Sequence, residues 1–251
     1  MTDLTGKTAV ITGSARGIGK AIAQRYATLG ANVVINYASS VARGEQALAE
    51  VLKQGGQAIA VQADISKAAD VDRLFTQAAT AFGSVDIVVA NAGLELLGTA
   101  IADLTDEQIN SMVDVNARGA IFTMQRAAKH VADNGRIIYI SSTAITHPVA
   151  GAGLYTAVKA PGRYFAEVLA RETAGRGITV NTIQPGPIDD AGVFLDSIPA
   201  DSPFRDIQAD GRIGERIGAP SDVADAAEYL TGDLAAWVSG TTITVTGGLP
   251  Q

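Results

Sequence analysis

Tyr155 and Lys159 stand four residues apart in the run Tyr155-Thr156-Ala157-Val158-Lys159. In a helix that spacing projects both side chains from one face, about one turn apart. An ammonium beside a phenol favours the phenolate and draws its pKa from about 10 toward neutrality. A phenol so tuned can give a proton to a carbonyl oxygen, or take one from an alcohol, near pH 7. Alone, the pair also fits an ordinary surface contact. What precedes it in the chain raises the functional reading.

Thr12-Gly13-Ser14-Ala15-Arg16-Gly17-Ile18-Gly19 lies between an apolar β-branched run and a helical pattern. Glycines there let backbone approach a pyrophosphate, and the helix N-terminus offers free N–H groups and a positive dipole end. The glycine spacing differs from the usual dinucleotide fingerprint, but the position, first strand into first helix, is where such sites lie. An NAD site places an acid about 20 residues further on, against the ribose 2′-hydroxyl. From Ile18 to Gly44 there is no Asp or Glu, and the second strand ends Asn36-Tyr37-Ala38-Ser39-Ser40. Tyr37 stands where the acid would be. Arg16 suits a 2′-phosphate, with hydroxyls from Ser39 and Ser40 available to its oxygens. The expected cofactor is therefore NADP(H).

Composition sets the class. The 251 residues are 47% hydrophobic and 18% charged, with 27 glycines, which fits one folded α/β domain over residues 1–251. A net charge of −7 argues against nucleic acid as a partner, since that requires a basic footprint. There is no cysteine, and only His130 and His147, so thiolate chemistry and a histidine-rich metal site are excluded. The start, Met1 to Lys7, has no signal-peptide pattern and no apolar run is long enough to span a bilayer, so a cytoplasmic, membrane-free protein is expected.

The elements that must position these residues follow from the apolar pattern. Strands are expected at Thr8–Thr12, Asn32–Tyr37, Gln57–Gln62, Val85–Ala90, Arg136–Ile140, Thr179–Gln184 and Thr241–Val245. Helices are expected at Ile18–Leu29, Val41–Gln54, Ala69–Phe82, Thr105–Ala117, Ala120–Val131, Tyr155–Ala174 and Ser221–Leu230, the last capped by its serine. Apolar strands alternating with helices mean an α/β, doubly wound Rossmann fold: a seven-stranded, mostly parallel sheet with helices on both faces. The segment about 189–218, with Pro199 and Pro203, is expected to be irregular and to act as a lid.

In sum and order, Thr12-Gly13-x-x-x-Gly17-Ile18-Gly19, Asn91-Ala92-Gly93, Asn116, Ser142, Tyr155-x-x-x-Lys159 and Pro185-Gly186-Pro187-Ile188 resemble the short-chain dehydrogenase/reductase family end to end, with Ser142 13 residues before Tyr155. The similarity extends to 3-oxoacyl-carrier-protein reductases and related carbonyl reductases. The resemblance implies a catalytic tetrad. Tyr155 is the general acid, and Ser142 hydrogen-bonds the substrate oxygen. Lys159 binds the nicotinamide ribose and lowers the phenol pKa, and Asn116 orders a water leading to Lys159. It implies that Asp64 and Ile65 meet the adenine, that Asn91, Ala92 and Gly93 line its ribose, and that Pro185, Gly186 and Ile188 border the nicotinamide. It also implies a homotetramer, for which Ala127, Ala128, Ala166 and Ala170 would permit close helix approach. The chemistry agrees: two hydroxyls aimed at one carbonyl oxygen stabilise its developing charge, and one of them transfers a proton.

Three departures stand out. Asp190 replaces a hydroxyl residue that would hold the carboxamide, and a negative group there would either repel a cofactor phosphate or reposition the lid. Thr246 replaces an Asp before the last glycines, and Pro161 falls inside a helix. The substrate, a small-molecule carbonyl of mid-sized apolar character, is expected against Leu94, Glu95, Ser142, Thr143, His147 and Phe194. Three alternatives remain at this point. One is reduction of a 3-oxoacyl carrier protein, docked by Arg126, Lys129, Arg171 and Arg176. The second is NAD-linked alcohol oxidation, and the third a non-catalytic nucleotide-binding regulator.

Overall fold

The computed structural model describes residues 2–248; Met1 and residues 249–251 of the expected domain lie outside them. Seven strands, β1 Thr8–Ile11, β2 Asn32–Tyr37, β3 Gln57–Gln62, β4 Val85–Ala90, β5 Val131–Ile140, β6 Thr179–Pro185 and β7 Thr242–Val245, form one sheet in the order β3-β2-β1-β4-β5-β6-β7. Every pairing is parallel. The order reverses between β1 and β4, which opens a crevice at the carboxyl ends of those strands. Because helices cover both faces, the inner strands need not alternate: β1 and β6 are buried at every position.

The helices are α1 Gly17–Thr28, α2 Val41–Lys53, α3 Ala68–Phe82, α4 Asp106–Met112, α5 Ala120–His130, α6 Gly153–Thr173, α7 Gly192–Asp196, α8 Pro203–Ala209 and α9 Pro220–Thr231. Ile22 and Tyr26 of α1, Val51 of α2 and Val223, Ala227 and Leu230 of α9 pack on one sheet face. Leu74 and Phe75 of α3, Met124 of α5 and Leu169 of α6 pack on the other.

Four expectations are corrected. The stretches Thr105–Ala117 and Ala120–Val131 do not separate. Thr105 caps α4 in a capping box with Gln108, and a π-helical segment, Val113–Gly119, carries the chain directly into α5. The lid is not irregular throughout, since it holds α7 and α8, with Ser202 capping α8. Ser221 does not cap α9, which starts one residue earlier at Pro220. Asp222 reaches back to the Ala219 N–H at 2.7 Å instead. Finally, Ala127, Ala166 and Ala170 face this chain's own core at 0%, 1% and 6% exposure and cannot meet a neighbour. Pro161 sits on the exposed side of a continuous α6, where water can reach the carbonyl of exposed Ala157 that it leaves without a donor.

Candidate active site

A cleft of about 670 Å³ opens at the carboxyl ends of the strands, and most of the expected site residues line it. From the glycine turn come Gly13, Arg16, Gly17, Ile18 and Gly19; from the end of β2, Tyr37, Ala38, Ser39 and Ser40. Asp64 and Ile65 follow β3, Asn91, Ala92 and Gly93 follow β4, Pro185 ends β6, and Gly186 and Ile188 follow it. Leu94, Glu95, Ser142, Thr143, His147, Tyr155, Lys159 and Phe194 complete the wall.

Two expected residues are not in it. Ser14 is fully buried. Its hydroxyl donates to Ile11 O at 2.7 Å and accepts from Asn36 N, and its own N–H donates to Asn36 O at 2.9 Å. It therefore braces the turn and has no donor left for a phosphate. Asn116, 1% exposed in the π segment, lies behind the cleft and clamps Leu94: its Nδ2 donates to Leu94 O and its Oδ1 accepts from Leu94 N, both at 3.1 Å.

The turn packs closely on the segment after β4. Gly13 has φ +65°, and a Cβ there would lie 2.8 Å from Ala92 Cα. Asn91 Nδ2 donates to Thr12 O at 2.9 Å and to Gly13 O at 3.3 Å, locking turn to β4, so its amide is architectural. Sequence reasoning missed Asn36. Its Oδ1 accepts from Gly13 N at 3.0 Å and its Nδ2 donates to Ala63 O at 2.9 Å, joining the turns after β1 and β3. No local signal marked it, because both partners come from turns distant in sequence.

The charges differ from expectation. Arg16 forms an ion pair with Asp196 of the lid helix α7. Arg43, overlooked in the sequence, also lines the cleft where Ser40 caps α2. Burial raises the Asp64 carboxyl, but hydrogen bonds from Ser66 and Lys67 outweigh it and hold the group below its ordinary range. Asp190 takes a left-handed turn at φ +51°, is exposed, and is not among the residues that line the cleft.

The expected acidification of Tyr155 is not what the geometry gives. Burial pushes the phenol up, the Glu95 carboxylate adds to this, and hydrogen bonding with Ser142 only opposes it. Lys159 Nζ donates to Ile140 O at 3.1 Å instead of to the phenol, and burial pushes its pKa down to about 8 while Glu95 opposes. Tyr139 supports this lysine from below: its hydroxyl donates to Lys159 O at 2.9 Å, and Nζ lies 5.8 Å from its ring centre. Gly162 makes room, since a Cβ there would lie 2.4 Å from that ring.

A pH prediction follows from the lysine. Its pKa falls from 10.5 in the unfolded chain to about 8 in the fold, so between these values the unfolded chain binds more protons than the native one. Stability should rise with pH across that window. The Lys159→Met variant should lack that increment, measured by urea unfolding of both proteins from pH 7.5 to 10.5.

Among the described residues no group of three or more His, Cys, Asp or Glu side chains could hold a metal, and no helix is long and apolar enough to cross a membrane.

A family model described as enoyl-(acyl carrier protein) reductase matches residues 13–250. The chain is 39% identical to a short-chain dehydrogenase from Burkholderia cenocepacia, solved in complex with NADP. The match has a TM-score of 0.90 and covers 98% of each chain. This protein belongs to the short-chain dehydrogenase/reductase family. Within the family it is also 38% identical to a versicolorin reductase of Emericella nidulans, over 98% of this chain and 96% of that one. An angucycline C-6 ketoreductase with bound NADP matches with a TM-score of 0.90 at 33% identity, covering 98% of this chain and 96% of that one.

Proposed function

We propose that this protein reduces a ketone to an alcohol with NADPH, Tyr155 acting as general acid. The observation that carries the reading is the convergence of two hydroxyl residues, Ser142 and Tyr155, on one cleft whose other end is a glycine turn open to a phosphate. The fit of a dinucleotide rests on that turn, whose glycines at 13 and 19 leave no room for a Cβ, and on two arginines lining the cleft, Arg16 before α1 and Arg43 in α2. Bound NADPH supplies the hydride. Ser142 and Tyr155 orient the carbonyl oxygen and hydrogen-bond its developing charge, and Tyr155 gives up its proton. Buried Lys159 holds a positive charge beneath them below about pH 8, so reduction should slow as pH rises through that value. Asn116 fixes the Leu94 backbone at the mouth of the substrate region. The relatives reported above, one a ketoreductase and two holding NADP, support the same chemistry.

The test is NADPH oxidation with a panel of ketones, a 3-oxoacyl thioester and an enoyl thioester. Two of the four cations suggested for carrier-protein docking are committed elsewhere: Arg126 pairs with Asp72 and Arg176 with Asp133. Free ketones should therefore exceed the carrier-bound thioester as substrates. A pure nucleotide sensor needs no pair of hydroxyls in its cleft, and it would bind NADPH without turnover.

Arg16 is read as the 2′-phosphate ligand, with Asp196 holding its place. Arg16→Ala should lower the preference for NADPH over NADH by about tenfold or more, the range of a lost charge-assisted hydrogen bond. Asp196→Asn should tighten NADPH binding several-fold. Both are read by fluorescence titration of each cofactor.

A homotetramer is the proposed assembly. Its support is the outward apolar surface that the alanine faces do not supply. Tyr164 and Val168 on α6 are 61% and 55% exposed, and Leu234 and Trp237 before β7 are 89% and 100% exposed. Sedimentation at micromolar concentration tests it.

A further inference from the structure

Glu95 is the carboxylate at the substrate end of the cleft, which is lined by apolar Leu94, Leu97, Val149 and Phe194 together with Thr143 and His147. The carboxylate is anchored on one side only. Oε2 accepts from the Val193 N–H of the lid helix at 2.6 Å, and it packs so closely on the lid that a Cβ at Gly192 would lie 2.0 Å away. Oε1 points the other way and accepts from the Tyr155 hydroxyl at 3.4 Å. That contact is long, near the limit for a hydrogen bond, and is readily exchanged. When a substrate oxygen takes the phenol's hydrogen, Oε1 is left facing the substrate with free lone pairs. A carboxylate accepts and cannot donate.

We propose that Glu95 is a specificity-determining residue that selects ketones carrying a hydroxyl on the carbon next to the carbonyl. The carbonyl oxygen meets Tyr155 and Ser142, while the adjacent hydroxyl donates to Glu95 Oε1. The inference rests on the ketone-reduction reading above. The same negative charge disfavours substrates with a carboxylate at that position, which gives selection by repulsion as well as attraction. The gain is modest, because Glu95 remains exposed to the water of the cleft and is not stranded when the hydroxyl is missing. A charge-assisted hydrogen bond in such a place is worth about tenfold.

The experiment compares kcat/KM for cyclohexanone, 2-hydroxycyclohexanone and 2-methoxycyclohexanone in the wild type, Glu95→Gln and Glu95→Leu. The wild type should prefer the hydroxyketone about tenfold over both others. In Glu95→Gln the amide oxygen must serve the Val193 N–H, so the amide nitrogen turns to the substrate. The hydroxyketone and the methoxyketone both accept, so the preference of one over the other should then be lost. In Glu95→Leu the three should become equal. A purely structural role for Glu95 would leave the hydroxyketone preferred over the methoxyketone in Glu95→Gln. No hydroxyketone preference in the wild type, or an undiminished one in Glu95→Leu, overturns the proposal, and the wild-type result decides even if a variant fails to fold. If no ketone is reduced, the functional reading fails instead. Calorimetry on the NADP⁺-loaded protein then decides Glu95 separately: tighter binding of cyclohexane-1,2-diol than of cyclohexanol, lost in Glu95→Leu, upholds it, and equal binding overturns it.

Discussion

Tyr155→Phe should lower kcat for ketone reduction by about 10²- to 10⁴-fold, the usual contribution of a positioned general acid. The ring should stay where it is. Tyr155 is 6% exposed and packs with Met112 and Val158, contacts that phenylalanine keeps. The phenol's hydrogen bond to Glu95 is long, so its removal leaves little unsatisfied. NADPH affinity should therefore change by no more than a few-fold. Stopped-flow turnover and cofactor titration together make the check. Retention of more than about a tenth of the activity would mean that another group delivers the proton. Tyr155 would then be a packing residue.

Gly19→Ala should damage the cofactor end as severely. The added Cβ would lie 2.5 Å from Asn91 Nδ2, 2.7 Å from Gly13 O and 3.0 Å from Ser14 Cα. Two of these are backbone atoms. The third belongs to an amide already held by Thr12 O and Gly13 O. Nothing there is a loose side-chain end that can swing aside. Relief must come from displacing the turn, at a stability loss of about 1–3 kcal/mol, the range for overpacking. The displaced turn should bind NADPH at least ten times more weakly, on the order of one lost charge-assisted hydrogen bond. Thermal melting and cofactor titration read the two effects. Gly83→Ala offers a contrast. That residue has φ +82° but nothing within 4 Å of a new Cβ, so it should lose stability through backbone strain without loss of NADPH affinity.

How much was legible follows from the range over which each signal acts. Three strands were found at their expected bounds and the others within five residues, because a run such as Thr8–Ile11 is apolar for a local reason, burial on both faces. The glycine turn and the Tyr155–Lys159 spacing were legible because one turn of helix, or one strand-to-helix junction, contains the whole pattern. Asn36 was passed over because a single amide in a strand signals nothing until the turns after β1 and β3 are brought beside it. Ser14 was counted with the rest of the glycine turn; only the fold brings Ile11 O and Asn36 O to accept from its hydroxyl and its N–H.

The sequence by itself determined the parallel α/β layout, the position of the crevice and the Tyr155–Lys159 pair, because these depend on periodicity and on spacings of a few residues; Ser142 was named only through the family resemblance. Tertiary structure alone decided the charges. Arg16 meets an aspartate 180 residues away, and Glu95 reaches both the phenol and the lid. Burial moves Lys159 and Tyr155 in directions that their spacing did not foretell. Solvation and long-range pairing are properties of the assembled cleft, and neither exists until the order β1-β4 has brought distant segments to one place.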